Sequence, residues 1–205
     1  MTKAVKSNIL VVCANPKAGS FCKSLARAVV LELKNSGHRV TYHDLDAEKF
    51  PPVIPAREIR RGAVPAGLIR RHCADLVRAD GIVIIHPNWW GQPPAVMKGW
   101  IDRVFRTDVA YRFDEGDDGE GVPVGLLKAR FAVVFNTSDT EKTRELKEFG
   151  DPLDTIWKNC VFALCGVRKV IRRTFGVIVT SSIKQRKAWI AEAVKIVRRC
   201  VKGLK

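Results

Sequence analysis

No apolar run in this sequence approaches the roughly 18 residues that a membrane-crossing helix needs. The first such run, Ile9 to Ala14, is also too short for the apolar core of a secretory leader. The six cysteines (Cys13, Cys22, Cys73, Cys160, Cys165 and Cys200) form no C-x-x-C pair. Their spacing fits neither a zinc site nor a small disulfide framework, so reduced, structural thiols in a cytoplasmic protein are expected. The four histidines, His38, His43, His72 and His86, are scattered along the chain. No metal site is expected from them, and His72, on an apolar helix face, reads as a satisfied core residue. No Ser-His-Asp or Cys-His arrangement is legible. Neither G-x-G-x-x-G nor a Walker A pattern follows the first strand. There is no internal repeat, low-complexity tract or linker, so residues 1–205 read as one α/β domain.

Acidic residues are also scarce. Asp and Glu number 21 against 36 Lys and Arg, a formal net charge of +15. That excess favours anionic partners in general. The densest stretch holds Arg57, Arg60, Arg61, Arg70, Arg71 and Arg78, and a second group holds Arg168, Lys169, Arg172 and Arg173. No aromatic residues interleave with them to stack bases, so a basic solvated surface is expected and nucleic-acid binding is not.

What is present is a repeated strand-then-helix pattern. Asn8 to Ala14 is a continuous, β-branched apolar run, the mark of a strand buried on both faces. A turn over 15–19 follows, and Ser20 is suited to cap a helix reaching about Asn35, with Leu25, Ala28, Val29 and Leu33 as its apolar stripe. Gly37 ends it. His38 to Asp44 is a second strand, and 45–65, with four prolines, reads as a long loop. Helix 68–77, strand 81–86, a helix from Pro93-Pro94 to about Phe105, and strand 131–136 follow. Segment 114–125, with four glycines and five acids, reads as an exposed excursion. The stretch 137–151 is polar and unassigned. A helix over 152–164, a fifth strand over 170–179 and a last helix capped by Ser181 or Ser182 complete the pattern.

Five β/α units predict a five-stranded parallel sheet with helices on both faces. Ligands of such sheets bind beyond the carboxyl ends of the strands, where strand order reverses. The loops to watch are therefore 15–20, 87–93 and 136–141. In the first, Gly19, the Ser20 hydroxyl and the open end of a helix suit a phosphate. In the second, Trp89 and Trp90 are adjacent at the end of a buried strand. Neighbours on a strand alternate faces, so both cannot easily point inward, and an exposed aromatic wall suits a flat conjugated ring. Packing beneath loop 45–65 is the structural alternative.

The segment from Pro87 to Phe105 matches, without a gap, Pro-x-Trp-Trp-x-x-x-Pro-Ala-x-x-Lys-Gly-Trp-x-Asp-Arg-Val-Phe. The chain thereby resembles the quinone reductase (DT-diaphorase, modulator of drug activity) branch of flavodoxin-like proteins. The resemblance extends to Asn15-Pro16 with Ser20-Phe21, to Ala110-Tyr111 and to Gly125 through Lys128, and it weakens beyond residue 140. It implies a flavodoxin-like fold, FMN or FAD as cofactor, NAD(P)H as electron donor, a quinone or similar small acceptor, and a homodimer. By position it implies that Asn15, Ser20, Phe21 and Cys22 flank the flavin phosphate. Pro87, Asn88, Trp89 and Trp90 would line the ring, largely through backbone groups, and Thr137, Ser138 and Asp139 would close its other edge. Tyr111 and Phe113 would border the nicotinamide and acceptor pocket across a dimer interface.

The chain departs from this family in several places. Asn15 stands where His is frequent, and Cys22 where Asn is. Thr137-Ser138-Asp139 replaces Thr-Gly-Gly, removing backbone freedom and bringing a carboxylate that would disfavour an anionic reduced flavin. The Tyr and His that assist hydride transfer in animal members have no counterpart between 140 and 151, which leaves catalysis centred on the flavin. Ancillary subunits of glutathione-gated potassium efflux systems share the fold, so the alternative reading is a flavin-binding regulatory subunit that docks peripherally on such a membrane channel.

Overall fold

The computed structural model of the chain describes residues 6–60, 62–114 and 121–204. Within them the apolar runs become β1 (Asn8–Cys13), β2 (Arg39–Asp44), β3 (Gly81–Pro87), β6 (Ala132–Thr137) and β7 (Val170–Phe175). All pair in parallel, in the order β2-β1-β3-β6-β7. That is the doubly wound order that the resemblance implies. Two short strands, β4 (Tyr111–Arg112) and β5 (Val124–Gly125), form a separate antiparallel ribbon. The helices are α1 (Phe21–Asn35), α2 (Gly67–Arg78), α3 (Ala95–Val104), α4 (Lys142–Phe149), α5 (Pro152–Thr155), which runs on as a π-helix over Ile156–Ala163, and α6 (Ile183–Lys202).

Alternation along the strands divides the core in two. Leu10, Val12, Ile82, Ile84, Ala132 and Val134 face α2, α3 and the helix from Pro152. Ile9, Val11, Val83, Ile85, Val133 and Phe135 face α1 and α6. Every residue of β3 is buried, as its unbroken apolar run requires. Basic residues spread along the sequence gather in space: α1 and α6 carry ten Lys or Arg against Glu32 and Glu192 alone. More than half of the net charge thus lies on one helix layer.

Three segments differ from the sequence expectation. The fifth strand stops at Phe175 rather than reaching 179, because the chain folds over the end of β6, with the Ile178 N–H donating to the Ser138 carbonyl. The unassigned stretch contains α4, which the pattern hides because Leu146 and Phe149 are exposed and leave it no apolar stripe. In the glycine-rich excursion, residues 115–120 lie outside the described residues, and Val124 and Gly125 belong to the ribbon.

The Lys-Gly-Trp-x-Asp-Arg half of the long motif is structural. A Cβ on Gly99 would stand 2.3 Å from the Pro52 carbonyl oxygen, so only glycine lets the loop after β2 lie on α3. Trp100 is fully buried and donates to His72 Nδ1 at 3.0 Å. Arg103 is buried, donating to Glu58 Oε1 at 2.7 Å and to the Pro51 carbonyl at 2.6 Å. Removing one partner of a buried ion pair leaves the other charge uncompensated. Arg106 also lies 3.6 Å from Glu58 and retains part of the compensation. Arg103→Met is therefore expected to cost about 3 kcal/mol, seen as a lower urea midpoint. Only part of the loss should be recovered in the Glu58→Leu/Arg103→Met double variant, which leaves Arg106 without its carboxylate. A single variant as stable as the native chain would show that this pair does not hold the loop.

Candidate active site

β1, β3 and β6 are neighbours, so their carboxyl ends stand side by side. The chain leaves β1 toward α1 in one layer and β3 toward α3 in the other, which opens a crevice between them. Among the described residues, no helix is long and apolar enough to cross a membrane.

The loop after β1 is shaped by local polar bonds. Asn15 Oδ1 accepts from the Lys17 N–H at 3.0 Å, and the Asn15 N–H donates to Asp46 at 2.7 Å. Ser20 is the N-cap of α1, its hydroxyl accepting from the Lys23 N–H at 3.3 Å. The first turn of α1 has no acidic residue, and a Cβ built on Gly19 meets nothing within 4 Å. The remaining helix-end N–H groups therefore face an open approach suited to an anion. The Phe21 ring turns into the core against Phe175 and Trp189. Cys22 is buried with Sγ 3.3 Å from Thr137 Oγ1, and burial pushes its thiol above the usual range.

In the loop after β3, the Asn88 N–H donates to the Thr137 carbonyl at 2.7 Å, and Asn88 Nδ2 donates to Glu145 at 3.0 Å. Asn88 Oδ1 is buried without a hydrogen-bond partner. Trp89 and Gln92 exchange backbone hydrogen bonds at 3.1 and 2.9 Å around a turn with φ +57° at Trp90 and +69° at Gly91. Two successive positive φ angles mark a tight turn that throws its first central side chain outward. Trp89 is 46% exposed and Trp90 is entirely exposed, so neither indole is lost to the interior.

The loop after β6 is tied to the chain beyond β7. The Ser138 N–H donates to the Phe175 carbonyl, and Ser138 Oγ accepts from the Thr140 N–H. Asp139 Oδ1 accepts from the Val179 N–H at 2.8 Å. The side chains that replace two glycines thus anchor this loop to its neighbour. Thr137 and Ser138 are buried, and Asp139 is exposed.

The structure therefore brings together Asn15, Ser20, Cys22, Pro87, Asn88, Trp89, Trp90, Thr137, Ser138 and Asp139 along one edge. Tyr111 and Phe113 stand elsewhere, edge to face at 5.7 Å. They line a cleft of about 1020 Å³ with Ile54, Glu58, Arg106 and Val109, and no residue of the three loops lines it.

Sequence reading missed two polar clusters. His43 and His72 do come together, their rings stacked at 3.8 Å. Glu48 bridges them at 2.9 Å to each, and Asp75 meets His43 Nε2 at 3.1 Å. These ligand atoms are close enough to surround a cation. The tautomer opposes it: the Trp100 indole only donates, so His72 Nδ1 accepts, its proton lies on Nε2, and that nitrogen has no free pair for a metal. The second cluster joins His86, Asn136, Trp157 and Arg172 beneath the Trp89–Trp90 loop. Arg172, in the middle of an otherwise apolar strand, was its one visible sign.

A family model described as flavodoxin-like fold matches residues 7–199. An uncharacterized NAD(P)H oxidoreductase of Haemophilus influenzae is 30% identical over 194 residues, covering 92% of this chain and 93% of that protein. An FMN-dependent NADH:quinone oxidoreductase of Pelagibacter ubique is 26% identical over 163 residues, covering 75% and 80%. The crystal structure of Smu.1420 from Streptococcus mutans superposes with a TM-score of 0.82 at 27% identity, covering 94% of this chain and 99% of that one.

Burial pushes His86 down to about 4, and burial together with neighbouring His43 does the same to His72. Both rings are neutral in the folded chain near neutral pH and bind a proton on unfolding below about pH 6.5. The unfolded state then holds more protons, so stability is full above about pH 6.5 and declines as pH falls toward about 4. The loss is on the order of 3 kcal/mol per ring at most. Urea midpoints measured from about pH 7.5 to about pH 5 should fall accordingly, whereas a flat profile would count against neutral buried rings.

Proposed function

The chain belongs to the flavodoxin-like family, and we propose that within it the chain is an NAD(P)H oxidoreductase that binds FMN and reduces quinones or similar small acceptors. Relatives carrying oxidoreductase and FMN-dependent quinone oxidoreductase names support this reading over that of a potassium-efflux subunit. The observation that carries it is the pair of exposed indoles beside an acid-free helix N-terminus at the sheet's carboxyl edge. The site fits the group: the anion-ready end of α1 suits its phosphate, and the partnerless Asn88 Oδ1 marks an unsatisfied acceptor in the ring-side loop. Bound flavin would supply hydride acceptance from NAD(P)H and two-electron delivery to the acceptor.

The residues would bind and orient. Ser20 and the first α1 amides, with Asn15, Phe21 and Cys22 shaping their approach, would hold the phosphate. The backbone of Pro87, Asn88, Trp89 and Trp90 would run along one edge of the ring, with Thr137, Ser138 and Asp139 along the other. No side chain of these loops is assigned proton transfer. Tyr111 and Phe113 lie apart from the loops, and Ile59, Val64 and Phe113 are exposed around their cleft. We therefore propose a homodimer in which the second copy brings Tyr111 and Phe113 to Trp89 and Trp90. The chain would act as one domain. Six free thiols and a need for NAD(P)H suit the cytoplasm.

The purified protein should be yellow or become so with FMN, and it should oxidise NADH or NADPH with a soluble quinone without any partner. Trp90→Ala should weaken FMN binding about fivefold, as expected for losing an aromatic contact worth about 1 kcal/mol. A colourless protein that titrates with neither FMN nor FAD would end the reading. Turnover appearing only with a membrane transporter present would favour the regulatory subunit.

A further inference from the structure

Pro87 and Asn88 share a peptide unit whose two polar groups are both held by the protein. Its N–H donates to the Thr137 carbonyl at 2.7 Å. Its carbonyl oxygen lies 2.7 Å from Nδ1 of His86, the residue immediately before it. Whether that second contact is a hydrogen bond depends on where His86 carries its proton.

One neighbour decides this. His86 is fully buried, and its Nε2 lies 2.9 Å from Trp157 Nε1, a group that can only donate. Asn136 Nδ2 lies 3.0 Å from the same nitrogen and 3.4 Å from Nδ1, beside the ring edge that both share, so it does not choose between them. The orientation of that amide is set from its far side, where Asn136 Oδ1 accepts from Arg172 Nε at 2.7 Å, and an arginine cannot accept. Arg172 is held in turn by Asp151 at 2.7 Å, Asp154 at 3.5 Å and the Thr174 hydroxyl at 3.0 Å. The Trp157 indole takes the one lone pair of Nε2, so the proton resides on Nδ1 and points at the Pro87 carbonyl.

We infer that His86 is a positioning residue for the ring-binding loop: its fixed tautomer locks the Pro87–Asn88 peptide and thereby the turn that carries Trp89 and Trp90. Only its ligand rests on the flavoprotein reading; the locking is a property of the free chain. The interaction is local, one side chain gripping the next residue's carbonyl, while the direction of the grip is imposed by Trp157 from the helix after Pro152.

Two substitutions separate this role from plain core packing. A glutamine amide reaches the place of Nε2, and an asparagine amide the place of Nδ1. His86→Gln keeps a group facing Trp157 and Asn136 but withdraws the donor from Pro87. His86→Asn keeps that donor. In the flavin-free chain, amide hydrogen exchange over residues 88–92 should quicken about tenfold in His86→Gln, the worth of one net hydrogen bond, and stay within about threefold of native in His86→Asn. FMN titration should follow the same order, with Kd rising about tenfold for Gln alone. Exchange in His86→Gln equal to native, or equal quickening in both variants, would overturn the inference. A native chain that binds no FMN would sink the proposed function while the exchange comparison still decided this one. Should His86→Gln fail to fold, the ¹⁵N spectrum of His86 in the native protein decides: an Nδ1–H tautomer near pH 7 supports the locking, and an Nε2–H tautomer overturns it.

Discussion

The register of β3 on β6 governs where the candidate residues of the three loops stand. Pro87 is paired with Thr137, and the ladder's last bond runs from the Asn88 N–H to the Thr137 carbonyl. Two of the three loops are thereby fixed against each other before any ligand is considered. The third is fixed by Cys22, whose sulfur reaches Thr137 from the first turn of α1. Because side chains alternate with period two, a slip of one residue would turn His86 and Asn136 toward the α1–α6 layer. Ile82, Ile84, Ala132 and Val134, all facing the other layer, hold the register in place.

The two layers are held differently. The side covered by α1 and α6 is a largely apolar interior beneath a cationic exterior. The side covered by α2, α3 and the helix from Pro152 contains three buried polar systems: Arg103 with Glu58, the His43–His72 stack with Glu48 and Asp75, and His86 with Asn136, Trp157 and Arg172. Apolar contact tolerates small rearrangements, whereas a hydrogen-bonded interior admits few geometries. The directional layer is also the one beneath the paired indoles and behind the Tyr111–Phe113 cleft.

Much of the fold was legible because the signals were local. Continuous β-branched runs gave β1 and β3, Ser20 gave the start of α1, and Ser181-Ser182 gave that of α6, where the structure assigns the cap to Ser182 in a capping box with Gln185. The candidate loops followed from strand order alone. What stayed hidden depends on residues distant in sequence. His43 and His72 meet only because β2 lies beside β1 in the sheet and α2 packs behind it. Arg172 looked like an interruption of a strand, since its partners Asn136, Asp151 and Asp154 come from other elements. The end of β7 was overrun because nothing local shows that Ser138 and Asp139 bind the Ile178 and Val179 amides. The motif from Pro87 to Phe105 reads as one unit, yet Trp89, Trp90 and Gln92 face solvent while Gly99 and Arg103 secure the loop after β2.

Trp90 sits in left-handed backbone, which costs a non-glycine residue about 1 kcal/mol, and its indole touches water on every side. Folding gains nothing from this residue, and glycine would serve the turn better. The native chain is thus less stable than its own topology permits, and it keeps an oily promontory whose ring only an encounter from outside can cover.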